Sequence, residues 1–278
     1  MINFIYYLLL FLFGGALGSF VGVAIDRLYI KSFIGGRSNC DSCNRKLDWY
    51  ETIPVFSYLF LKGRCRKCKV RIGKEKLWLE LLGGIFIIIF YKLYLIKYFT
   101  APFLLENILS GVLFSILGVL LFIIFFVIIF YDLKHKLVPT GFTLSLLVIG
   151  LGFEVYRIFN YSSFYGSINT LFWLDIFSGV LIALPFFLIY YFSKKRGLGF
   201  GDVLIYISVG YMAGFIFGLS IFFISIWLGA IISLLLILIY PKKYNRKSSI
   251  PFAPFILIST ILVAIFQIDI LGLIQLFG

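Results

Sequence analysis

Apolar residues run through this chain in long blocks separated by short basic loops, and the blocks are longer than the buried stripes of a soluble fold need. A window of about 20 apolar residues crosses a hydrocarbon layer at 1.5 Å rise per residue. It predicts spans at roughly Asn3–Ile25, Glu80–Tyr98, Ala101–Tyr131, Leu137–Ile158 and Leu171–Phe192. From Val203 to Tyr240 no charged residue occurs in 38 positions, which fits two spans joined by a tight turn near Ala213 to Leu219. A last span at about Pro251–Leu276 brings the expected number to eight. The first block lacks a basic leading region and a small-residue cleavage site followed by a soluble domain, so it is read as a span and not as a signal peptide. The expectation is an all-α polytopic membrane protein in three parts: a first helix over 1–25, a polar segment over 26–79 and a seven-helix membrane domain over 80–278.

Composition sharpens this picture. With 62% hydrophobic and 13% charged residues and a mean hydropathy of +1.07, the chain has too little polar surface to cover a soluble core. The net charge of +13 suggests nucleic acid, but its distribution argues for topology. Of the 25 Lys and Arg, 22 fall in the odd-numbered loops: 13 between Arg27 and Lys76, then Lys134 and Lys136, then Lys194, Lys195 and Arg196, then Lys242, Lys243, Arg246 and Lys247. Even loops hold only Lys92, Lys97 and Arg157. The positive-inside rule then places the odd loops in the cytoplasm and both termini outside.

The first loop carries all four cysteines, as Cys40-Asp-Ser-Cys43 and Cys65-Arg-Lys-Cys68. Two such knuckles can set four thiolates tetrahedrally around Zn²⁺, and four protein ligands make a structural site. Two disulfides are the competing reading, disfavoured by the reducing cytoplasm. The aromatic and apolar residues between the knuckles, among them Trp49, Tyr50, Val55, Phe56, Tyr58, Leu59 and Phe60, are expected to form a small core against the bilayer. The surrounding basic residues would face anionic lipid, and no nucleic acid partner is expected.

Two acidic residues stand where spans meet basic loops: Asp132, and Asp202 in Gly199-Phe200-Gly201-Asp202. A carboxylate at the edge of hydrocarbon is costly unless it is paired, solvated or used. Taken singly, Asp132 reads equally well as an interfacial partner of Lys134 or Lys136, and Asp202 as a helix cap. On one face and together, they have the makings of a carboxylate pair that shares a proton. Gly199 and Gly201 would allow a tight turn and a close approach of substrate. Asp26 and Arg27 read as a local ion pair and His135 as a solvated side chain, while Glu106, Glu154, Asp175 and Asp269 fall at outer ends.

These motifs occur in an order that resembles the bacterial type IV prepilin peptidases. Gly18-Ser19-Phe20, Asp26-Arg27-Leu28, Arg37-Ser38, both cysteine pairs, Trp49-Tyr50-Glu51, Ile53-Pro54-Val55, Gly63-Arg64-Cys65 and Glu80 with Gly84 resemble the family's N-terminal domain. Asp132-Leu133 with Pro139, the GxGD stretch ending at Asp202, and Ile250-Pro251-Phe252-Ala253-Pro254-Phe255 resemble its later signatures. Lys76-Leu77 stands where the family usually has Tyr-Pro, and Thr140 follows Pro139 where an acidic residue is common. The resemblance implies an intramembrane aspartic peptidase using Asp132 and Asp202 in the bacterial cytoplasmic membrane. It would act on type IV prepilins or pseudopilins, including competence pseudopilins, at the cytoplasmic edge. It also implies N-methylation from S-adenosylmethionine through the stretch from the cysteine loop to Glu80 and Gly84. A non-enzymatic zinc-containing scaffold of a pilus or secretion system, or a preflagellin-type or presenilin-like GxGD protease, are the alternatives.

Overall fold

In a computed structural model the chain is described at residues 2–28, 38–40, 42–92, 105–160, 170–193, 199–245 and 248–272. Arg37, Asp41, Lys97, the Lys194–Arg196 loop, Arg246 and Lys247 lie outside the described residues, as does the side chain of Glu106. Among the described residues there are helices and two isolated β-bridges but no strand. Two compact units result, Met1–Val127 and Ile128–Gly278.

The first unit contains α1 (Ile2–Arg27), the cysteine segment with a 3-10 turn (Trp49–Thr52) and the short α2 (Phe56–Phe60), and α3 (Lys74–Phe90). It also takes in the greater part of α4 (Leu105–His135). Helix α3 starts six residues before the expected span because an apolar window detects hydrocarbon contact, whereas the helix already begins at the charged turn after Gly73. Packing of α1 on α3 depends on small residues, the device that brings backbones close where water supplies no driving force between helices. A Cβ at Gly14 would overlap the Gly83 carbonyl, and one at Gly18 the Leu79 carbonyl.

The second unit holds the end of α4, α5 (Thr140–Phe159), α6 (Thr170–Ile176), α7 (Ser178–Phe192), α8 (Phe200–Ile239) and α9 (Ala253–Phe266). Continuous as α8 looks by hydrogen bonding, Gly214 sits at φ 78, ψ 178 and breaks it. In a straight helix Tyr206 and Ser225 would stand about 28 Å apart; here their hydroxyls meet at 2.5 Å. The second arm therefore folds back along the first, within the turn region expected from the uncharged run. The expected span at Leu171–Phe192 is interrupted at Phe177, between Asp175 and Ser178, whose side chains bond to Phe215 N–H and the Gly210 carbonyl of α8. Among the described residues four helices, α1, α4, α5 and α8, are long and apolar enough to cross a membrane; α7 and α9 are shorter apolar helices.

An aromatic cluster joins α7, α8 and the start of α9. Phe186 stacks on Tyr206 at 4.2 Å between centroids, and Phe222 and Phe252 close around them. Ile205, Ile221, Ile256 and Leu257 of the same unit are fully buried.

Candidate active site

Asp132 lies in the last turn of α4 and Asp202 in the first turn of α8, and both belong to the second unit. They are only 4% and 7% exposed, and each lies within Coulombic range of the other. Among the described residues, Oδ2 of Asp132 and Oδ1 of Asp202 are buried without a hydrogen-bond partner. A buried acceptor left unbonded is rare and costs about 1–3 kcal/mol; Glu154 and Asp175 also carry such oxygens, but those acids have the Arg157 guanidinium at 3.1 and 3.8 Å. Tyr206 lies one helical turn inside Asp202, so the aromatic cluster forms an apolar floor beneath the pair.

The other two contacts of the pair come from backbone. Gly199 N–H donates to Asp202 Oδ2 at 3.3 Å, so Asp202 does close the start of its own helix, but with one oxygen only. The amide of Ala253, at the start of α9, approaches the Asp132 carboxylate, where the positive end of a helix favours a negative charge. That amide carries no side-chain signal; the Pro-flanked segment Ile250–Phe255 was the only sign of it in the sequence. Lys136 turns its ammonium to Ser249 Oγ at 3.1 Å. His135 is exposed, with its ring against Tyr131.

Of the two glycines, only Gly201 is needed for space. A Cβ there would lie 2.6 Å from the Val138 Cβ, in the loop after Asp132. Gly199 has φ −79, ψ 147, extended backbone open to any residue, so its conformation does not require a glycine.

In the first unit the four thiols converge. Their sulfur atoms all lie within 4.8 Å of one another, with Cys40 and Cys68 Sγ 3.7 Å apart. Tetrahedral coordination with bonds of about 2.3 Å puts sulfurs about 3.8 Å apart, so the set fits such a metal, and all four cysteines are free of disulfides. The two knuckles repeat one hydrogen-bond pattern: Cys40 N–H to Arg45 O and Asn44 N–H to Cys40 O, then Cys65 N–H to Val70 O and Lys69 N–H to Cys65 O. Asn44 and Lys69, four residues after each first cysteine, both take positive φ. Amide donors from Cys68 and Lys67 lower the Cys65 thiol to about 6. Cys68 is pulled down by the Val70 amide, yet desolvation and the neighbouring thiols raise it to about 11 overall.

Between the knuckles the structure corrects the expected apolar core. Trp49, Leu59 and Phe60 are 78%, 61% and 83% exposed, and of that set only Val55 is buried. A five-residue helix has too little surface to enclose them, and an ion pair occupies the interior instead: Arg45 Nη2 donates to both Glu51 oxygens at 2.6 and 2.7 Å. Asp26 reaches across to Lys76 of α3, 3.6 Å away.

Glu80 and Gly84 have separate surroundings. Glu80 Oε2 accepts the Val55 amide at 2.7 Å, holding a β-branched residue at φ 65, a strained backbone. With Ser19, Asp26, Arg27 and Lys76, Glu80 borders a cavity of about 930 Å³ between α1, α3 and the cysteine segment. Gly84 instead packs against the Phe11 ring, which a Cβ would overlap.

Comparison with known proteins gives two family matches. Residues 12–94 match the bacterial peptidase A24 N-terminal domain, and residues 119–234 match the type IV leader peptidase family. A prepilin leader peptidase/N-methyltransferase of Aeromonas salmonicida is 26% identical over 282 residues, covering 92% of this chain and 89% of that protein. One from Legionella pneumophila is 29% identical over 235 residues, covering 84% and 73%. A Myxococcus xanthus protein of the same name is 43% identical over 77 residues, 27% of this chain and 23% of its own length. No solved structure matches. The class is a peptidase of all-helical, membrane type. More narrowly, the chain belongs to the type IV leader peptidase family.

Proposed function

We propose that this protein is an intramembrane aspartic endopeptidase that removes the short basic leader of type IV prepilins or pseudopilins and then N-methylates the new N-terminus. The observation that carries the reading is the pair of buried carboxylates, each with an unbonded oxygen. One of Asp132 and Asp202 is ionised and takes a proton from water as the water oxygen attacks the scissile carbonyl carbon. The other is protonated and donates to the carbonyl oxygen. Collapse of the tetrahedral intermediate breaks the C–N bond, and the proton gained from water passes to the leaving amine. Close carboxylates favour such sharing because both do not readily ionise at short range.

Leu133, Leu137 and Phe200, beside the two aspartates, are 53%, 64% and 47% exposed. They offer an apolar surface to the helix that follows the leader in such a substrate. The basic loops support a topology of eight spans with both termini outside and the pair at the cytoplasmic edge of a bacterial inner membrane. The exposed Trp49, Leu59 and Phe60, among basic residues, suit contact with a lipid surface.

Zinc is the metal we assign to Cys40, Cys43, Cys65 and Cys68, in a structural role because four thiolates close its coordination sphere. S-adenosylmethionine supplies an electrophilic methyl group when bound. Glu80 borders a cavity roomy enough for a ligand of that size, and Gly84 supports the reaction only through the packing of α3. Incubating the purified protein with a prepilin-like substrate and S-adenosylmethionine tests both activities through the product mass. Loss of the leader together with the gain of one methyl group is expected; an intact substrate contradicts the reading and favours a zinc-containing scaffold.

A further inference from the structure

The reversal of α8 at Gly214 is closed by charged residues from two other elements. Arg157 of α5 donates through Nη2 to the Tyr211 carbonyl at 2.5 Å and the Met212 carbonyl at 3.2 Å. These are carbonyls that a helix end leaves without an intrahelical partner. Across the break, Phe215 N–H, at the start of the second arm, donates to Asp175 Oδ1 at 2.7 Å. Arg157 Nη1 lies 3.1 Å from Glu154 and 3.8 Å from Asp175, and both acids are 4% exposed. A Cβ at Gly214 would fall between Arg157 and Asp175.

Elsewhere the first arm of α8 is held by close packing, with Tyr206 stacked on Phe186. Gly150 of α5 lies against the Ser208 carbonyl, and Gly179 of α7 lies against Gly210 and the Ile207 carbonyl. Such contacts bring backbones close, but the glycines themselves offer no side chain to fix position along the helix axis. A slip of one residue moves the arm by about 1.5 Å, and displacements of about 1 Å at reacting groups cost about 100-fold in rate. Together with the Ser178 Oγ–Gly210 carbonyl bond, the polar clamp at Gly214 supplies the directional contacts at the end of the arm opposite Asp202.

We infer that Arg157, aided by Asp175, is a positioning residue that sets the axial register of the first arm of α8 and through it the placement of Asp202 beside Asp132. The inference rests on the assignment of those two aspartates to cleavage. Arg157 touches no substrate, so its loss acts on kcat. Asp175→Asn keeps an oxygen acceptor for Phe215 N–H, and the nearer Glu154 still neutralises Arg157.

The test is steady-state cleavage of a prepilin-like substrate by the purified full chain, with Arg157→Met, Asp175→Ala, Asp175→Asn and Asp202→Asn compared with wild type. Arg157→Met and Asp175→Ala are expected to lower kcat by about 10-fold or more with KM within about twofold, whereas Asp175→Asn recovers most of the rate lost in Asp175→Ala. If Arg157→Met does not fold, the two Asp175 variants carry the same comparison. Unchanged kcat in the folded Arg157→Met protein, or a loss confined to KM, overturns the clamp. Equal loss in Asp175→Asn and Asp175→Ala also overturns it. Cleavage retained by Asp202→Asn overturns instead the assignment on which the clamp rests.

Discussion

Gly201 is where one missing methyl group governs how closely the start of α8 approaches the loop after Asp132. Because a Cβ there would meet Val138 at 2.6 Å, Gly201→Val has to push the start of α8 away from the loop after Asp132. Cleavage should fall about 100-fold while Gly199→Ala, in ordinary extended backbone, keeps the greater part of the rate; initial rates on one leader peptide separate the two. Glu80 offers a second residue-level test. Glu80→Ala leaves the buried Val55 amide without its acceptor and should destabilise by about 1–3 kcal/mol, read as a lowered unfolding midpoint. Glu80→Gln preserves an acceptor and should recover much of that loss. The residue types of this site were legible in the sequence, since an aspartate in an apolar chain is conspicuous. Two of its partners were not: the Ala253 amide and the Gly199 amide belong to backbone, which a sequence pattern does not display.

Between elements, the apolar blocks gave reliable positions for the long helices because hydropathy reports directly on contact with hydrocarbon. The turn expected near Ala213 to Leu219 appears at Gly214 for a simple reason, namely that an uncharged run of 38 residues is too long for one crossing. Arg157 escaped notice because its partners Tyr211 and Met212 lie more than 50 positions away in sequence, and a lone arginine in an even loop looks like an exception to a charge rule. The expected apolar core between the cysteine knuckles failed at this scale too, since counting aromatic residues says nothing about whether a short helix can enclose them. The tight α1–α3 contact gives its own prediction. Gly18→Leu, whose side chain would enter the Leu79 carbonyl, should separate these helices and lower thermal stability, whereas substitution at Gly141, where a Cβ meets nothing within 4 Å, should be silent in the same melt.

For the molecule as a whole, the cysteine cluster and the aspartate pair make separable demands. The Cys65 thiol is lowered from its ordinary 9.0 to about 6. Between those values it is ionised when folded and protonated when unfolded, so its contribution to stability grows with pH across that window and is lost as pH falls through about 6. Metal binding follows the same sign, because protons compete for the thiolates. Metal content measured on the purified protein should be near one zinc per chain at neutral pH and should fall on dialysis at about pH 5. Full retention there, or no metal at neutral pH, contradicts the zinc assignment without touching the peptidase.

The central claim is that Asp132 and Asp202 together perform the cleavage. The most direct measurement is the rate of leader removal by purified Asp132→Asn and Asp202→Asn proteins whose unfolding midpoints and metal contents match wild type. Each change leaves a near-isosteric side chain but removes a carboxyl group from the shared proton, so both are expected to lose at least about 1,000-fold in rate. Leader removal at an undiminished rate by either variant would contradict the account.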